Sequence, residues 1–146
     1  MNIALGMFVV LICVFIQAAT ITGMIKALRH LSQGAPRVRS YFFDMVVLSS
    51  VIIALFVGML TQVMVWAIIF VMIGEISDLH TAFYFSLVNF TTLGYGDITL
   101  SPAHAILGPM EASNGVLMLG LSTSFLYLVA VKLSQDRDKH SSDHSS

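Results

Sequence analysis

The chain has 146 residues, of which 57% are hydrophobic and 10% charged, with a mean hydropathy of +0.88. A soluble fold of this length has too little interior to hide that much apolar side chain, so the lipid bilayer has to act as its solvent. The net charge of −1 says little by itself, and the single cysteine, Cys13, lies in an apolar run. It implies neither a disulfide nor a thiolate metal site and reads as a buried, inert thiol.

Residues 1–25 contain no charged side chain. As a helix they span about 37 Å, enough to cross a bilayer with some tilt. A cleaved signal peptide would want a basic start and a small-residue cleavage site. Nothing basic precedes Lys26, and Gln17-Ala18-Ala19 is a poor cleavage signal. A retained membrane helix is expected. Residues 26–40 then form a short basic link with Lys26, Arg29, Arg37 and Arg39, broken by Gly34 and Pro36.

Residues 45–74 are a second uncharged run, longer than the hydrocarbon core is thick. Tyr41, Phe42 and Phe43 suit an interfacial collar at the start of this outer helix, which is assigned to residues 41–74. The Gln62 amide, in mid-span, has to face protein, because lipid offers it no partner. Glu75, Ser77 and Asp78 end the run, and Ser77 or Asp78 is a natural N-cap for the next segment. Residues 79–91 are apolar and aromatic but too short to cross. A third uncharged run, residues 112–131, lies in a helix assigned to 108–133, and a polar tail, 134–146, follows.

Between the second and third runs lies Thr91-Thr92-Leu93-Gly94-Tyr95-Gly96-Asp97. Glycine enters conformations with φ > 0 at no steric cost. A strand alternating such conformations with ordinary ones points successive carbonyls to one side, which a normal strand does not. A row of carbonyl oxygens on one axis replaces the water around a dehydrated cation. Thr92-Leu93-Gly94-Tyr95-Gly96-Asp97 resembles the potassium-channel signature, with Leu93 in place of the commoner valine. The resemblance covers roughly residues 41–132, a two-helix pore module of the small bacterial type. The first helix is an addition to it.

The resemblance implies an all-α membrane protein with three transmembrane helices, a re-entrant pore helix over 79–91 and a filter loop over 92–97. One filter per chain cannot enclose an axis, so a homotetramer is implied. The backbone carbonyls of Thr92, Leu93, Gly94 and Tyr95 and the Thr92 hydroxyl would hold K⁺, and Gly96 would turn the chain at the outer mouth. Asp97 would attract cations and brace the filter, supported by Tyr84, Asn89 and Thr91. Relatives often carry a pore-helix glutamate that shares a proton with the aspartate. Val88 stands there instead, so Tyr84 is expected to donate a hydrogen bond to Asp97. Phe85 cannot make the ring-to-Tyr95 bond common in the family, which leaves Asn89 as a substitute. Gly120 falls near the inner-helix hinge and Gly115 is a second candidate, with close helix packing as the simpler role for both.

Charge placement gives an independent check. If the filter faces outward, the first helix starts outside and all seven Lys and Arg residues fall in the cytoplasm. Glu75, Asp78, Asp97 and Glu111 then lie on the outer half, as the positive-inside rule requires. Glu111 reads as a dipole partner in the first turn of its helix, and the five histidines read as solvated. The resemblance to bacterial modules places the chain in the plasma membrane, there an inner membrane, with lipid, K⁺ and its own copies as partners. No cofactor, nucleic-acid partner or enzymatic activity is expected. A weakly selective cation pore, a non-conducting regulatory subunit and a small-solute carrier are the alternatives. No run carries the spaced arginines of a voltage sensor.

Overall fold

The computed structural model describes residues 2–34 and 41–143, with side chains described for 2–30 and 41–135. Pro36, Arg37, Arg39 and His144 lie outside the described residues, and the side chains of Arg137, Lys139 and His140 outside the described side chains. Four helices follow in order: α1, Asn2–Gly34; α2, Tyr41–Met72; α3, Leu79–Phe90; and α4, Leu107–Asp143. Three of them, α1, α2 and α4, are long and apolar enough to cross a membrane. There is no strand among the described residues.

Helix ends follow local chemistry. Past the end of α2, Gly74 takes φ +77°, and the Glu75 amide donates back to Phe70 O at 3.1 Å, satisfying a terminal carbonyl. Asp78 caps α3, its Oδ2 accepting from the Thr81 amide at 2.9 Å. Two helices outrun their apolar stretches. α1 continues through Lys26 to Gly34, and α4 runs to Asp143 rather than stopping at 133. A fall in hydropathy marks where lipid ends, not where helical hydrogen bonding ends.

The helices meet through two apolar clusters. The first gathers Val9 and Cys13 of α1, Trp66 and Phe70 of α2, Phe85 and Phe90 of α3, and Met118 of α4. Trp66 stacks on Phe70, which meets Phe85 edge-on at 5.2 Å. The second joins Met24 of α1, Val47, Val51 and Leu55 of α2, and Phe125, Val129 and Leu133 of α4. With lipid rather than water outside, such clusters hold by close packing more than by apolar transfer.

The two ends of the molecule differ chemically. Asn2 of α1 donates to the Ala103 carbonyl in the loop before α4, so the start of α1 lies beside the loop that follows residues 92–97. Glu75 reaches the same loop at Ser101 and His104. The opposite end joins Tyr41 and Met45 to Leu133 around a small cleft.

The segment after α3 as candidate ion pathway

α3 is 12 residues long, about 18 Å, against a hydrocarbon core of about 30 Å. Its last turn positions the segment that follows. The Thr92 amide donates to Asn89 O at 2.9 Å, and Leu93 N and Gly94 N both donate to Val88 O, at 2.9 and 3.4 Å. The Thr91 hydroxyl also returns to Leu87 O at 2.7 Å. The amides at the start of the segment are thus spent on the helix end. The carbonyls of residues 92–96 accept no hydrogen bond among the described residues. Buried or not, backbone carbonyls need partners, and these have only what approaches from outside the chain.

Backbone conformation alternates along the same segment. Thr92 has φ +62°, Gly94 φ +54° and Gly96 φ +74°, while Leu93 and Tyr95 keep negative φ. Two of the three are glycines, which enter this region freely. Thr92 is β-branched, and it is the single non-glycine with positive φ among the described residues. Such strain persists only where surrounding structure enforces it, and it concentrates at functional sites.

The flanking side chains are brought together in part. Tyr84 Oη donates to Asp97 Oδ2 at 2.8 Å, the bond expected in place of the missing carboxyl pair. Phe85 packs into the core against Phe70. No bond joins Asn89 to Tyr95 within the chain. Tyr95 is exposed, and Asn89 Nδ2 has no partner among the described residues. A cleft of about 440 Å³, lined by Phe85, Asn89, Ile98 and Pro109 among others, opens behind Thr92, Gly94 and Gly96.

The two α4 glycines separate. Gly115 is a packing position, since a Cβ there would lie 1.9 Å from the Phe90 carbonyl oxygen. A Cβ on Gly120 would meet nothing within 4 Å, so no neighbour in this chain demands glycine there.

Glu111 corrects the sequence reading. It lies beyond the first turn of α4 and is 0% exposed, so it is no surface partner of the helix dipole. It faces Ser86 and Asn89 on α3. Its two carboxyl oxygens and Ser86 Oγ have no hydrogen-bond partner among the described residues. An ionisable residue among apolar helices is itself the signal, because such residues are rarely tolerated there without a role.

His104 is a second correction, being half-buried and bonded rather than solvated. Its Nδ1 lies 2.6 Å from Glu75 Oε1, and Glu75 Oε2 accepts from the Ser101 amide at 2.8 Å. The Ser101 hydroxyl, the Ser101 amide and His104 together pull the Glu75 carboxyl down to about 2. Glu75 lies 26 and 29 residues from these partners. No periodicity within one helix links them.

No curated protein and no solved structure matches the chain. The family described as ion channel matches residues 46–132, a span running from early α2 through α3 and the alternating segment to the middle of α4. With this match over more than half its length, the chain belongs to the ion-channel family.

Proposed function

We propose that the chain is one subunit of a potassium-selective channel. Four copies surround an axis, and the carbonyls of Thr92, Leu93, Gly94 and Tyr95, with the Thr92 hydroxyl, replace the hydration shell of K⁺. The alternation of positive φ at Thr92, Gly94 and Gly96 carries this reading, because it is the backbone pattern that lets consecutive carbonyls share one side. The amides anchored to α3 and the carbonyls without partners support it.

In this reading α3 enters the membrane part-way, and irregular backbone follows it where protein and a water-filled path surround it. Asp97 stands at the outer mouth, held by Tyr84. Glu75, Asp78 and Asp97 face outside, while Lys26, Arg29 and Lys132 face the cytoplasm of a plasma membrane. The exposed Leu93 and Tyr95 side chains pack against adjoining copies. K⁺ flows passively down its gradient, with no cofactor.

The test is flux from liposomes holding the purified full chain. Barium-blocked K⁺ flux, with a reversal potential following K⁺ in mixed K⁺ and Na⁺, is the expected result. Flux without that preference means a weakly selective cation pore. No flux points to a regulatory subunit, cross-linking to a number of copies other than four overturns the tetramer, and a monomer removes the shared axis.

A further inference from the structure

A chain of buried amides crosses the molecule at mid-depth. Gln62 Nε2 on α2 donates to Gln17 Oε1 on α1 at 2.9 Å, and Gln17 Nε2 donates to Ser122 Oγ on α4 at 2.9 Å. Gln62 is 0% and Gln17 3% exposed. Three helices are thereby joined through one side chain of α1, the helix that precedes the matched residues 46–132.

The position of this chain matters more than its existence. On α4, the first apolar cluster ends at Met118 and the second begins at Phe125. On α1 they are represented by Val9 and Cys13 on one side of Gln17 and by Met24 on the other. On α2 the change falls between Leu55 and Met59, so Gln62 reaches Gln17 from the first cluster's side, one turn beyond it. The Gln17–Ser122 bond therefore lies on the seam between two separately packed halves, and Gln62 ties it to the first of them.

Gly120 lies on that seam, two residues before Ser122, with open space where a Cβ would be. The surrounding turn is soft. The Thr123 hydroxyl returns to Leu119 O and the Ser124 hydroxyl to Gly120 O, both at 2.9 Å. Such back-bonding bends helices. Among these three consecutive hydroxyls, that of Ser122 is the one engaged by another helix.

We propose that Gln17 is a positioning residue for conduction: through Ser122 it holds α4 at the seam, so that α1 sets how readily the two halves of the pore-lining helix move relative to each other. The proposal rests on the reading that α4 lines an ion pathway. A rigid two-state element biased by a specific contact is what coupling between a peripheral helix and a gate requires. Interhelical hydrogen bonds in membranes are individually modest, which suits a bias rather than a lock.

The experiment is single-channel recording of the full chain in planar bilayers, comparing wild type with Gln17→Leu, Ser122→Ala and the double variant. Thr61→Ala is the control, since among the described residues the exposed Thr61 hydroxyl bonds only Val57 O of its own helix. Each single variant is expected to shift the open-to-closed ratio roughly three-fold, in the same direction, with unitary conductance and K⁺/Na⁺ reversal unchanged. The double variant shifts it no further than one single variant, and Thr61→Ala leaves it unchanged. If Gln17→Leu does not fold, Ser122→Ala alone carries the test, because it removes a single oxygen atom and leaves the Cβ in place. Lowered melting temperatures with an unaltered ratio, or effects that multiply independently, overturn the proposal. A wild type that carries no current overturns the channel reading first, and the proposal with it.

Discussion

A Cβ placed on Gly115 would sit 1.9 Å from the carbonyl oxygen of Phe90, with the Phe90 carbonyl carbon at 2.7 Å behind it. α4 and the C-terminal end of α3 therefore touch backbone to side-chain position, with no flexible group between them to move aside. Phe90 is also the last residue of α3, two before the strained Thr92. A glycine on one helix thus sets where the other delivers the candidate filter.

Gly115→Ala tests this contact. Overpacking against side chains costs about 1–3 kcal/mol, and here the obstacle is backbone, so the upper part of that range is expected. The variant should melt several degrees lower in detergent and lose most of its flux. Gly120→Ala is the paired control for folding. With nothing to strike, it keeps or raises the melting temperature, since alanine favours helix by up to about 1 kcal/mol. Equal melting of wild type and Gly115→Ala would show that α3 shifts freely against α4.

Tyr84→Phe removes the hydroxyl that holds Asp97 and leaves the ring in place. Both residues are exposed, so water competes for this bond and its loss costs little stability. The variant is expected to fold and assemble as wild type does while its K⁺ flux decays a few-fold faster during sustained conduction. Flux traces that superimpose on wild type would leave Asp97 without a need for Tyr84.

The long elements were legible because bilayer thickness dictates the length of an apolar run, and three such runs stand out in the chain. α3 was legible from its shortness and from Asp78 at its cap, which the structure uses as one. Helix ends beyond the lipid were not. Lys26 and Lys132 change polarity without interrupting backbone hydrogen bonds, so α1 and α4 continue past them. Contacts between helices were the least legible. Glu111 finds Ser86 and Asn89 only when α3 and α4 pack, and Gln17 finds Ser122 across 105 positions of sequence. Such pairings depend on how helices rotate against each other, which hydropathy does not encode.

The Glu75 clasp makes a pH prediction. Its carboxyl is held near 2 against an ordinary value of 4.5, so the folded state favours the charged form. The stabilisation is fully present above about 4.5 and is lost as pH falls through about 2. Hydrogen exchange at the Ser101 amide, corrected for its intrinsic rate, should therefore stay slow from pH 8 to 5 and rise below 4.5. Glu75→Gln should exchange faster at neutral pH and lose most of that acid dependence. Protection that collapses between pH 7 and 6 in wild type would assign control of the loop to another group.

The alternating glycines offer the sharpest separation of backbone from packing. Gly94 and Gly96 have no neighbour within 4 Å of a built Cβ, and the same holds for Gly23 inside α1. Alanine at Gly23 meets helical backbone and should be neutral or slightly stabilising, because helix is the conformation alanine prefers. Alanine at Gly94 or Gly96 meets φ of +54° or +74°, which costs an L-residue roughly 1–2 kcal/mol with no clash at all. That strain is relieved most directly by the peptide unit turning over, which carries its carbonyl off the shared side. Gly94→Ala and Gly96→Ala should therefore leave thermal unfolding nearly unchanged yet lower K⁺ flux by ten-fold or more, while Gly23→Ala conducts as wild type does. Melting curves and barium-sensitive flux on the same three preparations check this. Normal conduction by Gly94→Ala would mean that the left-handed conformation at this position does not organise the ion path.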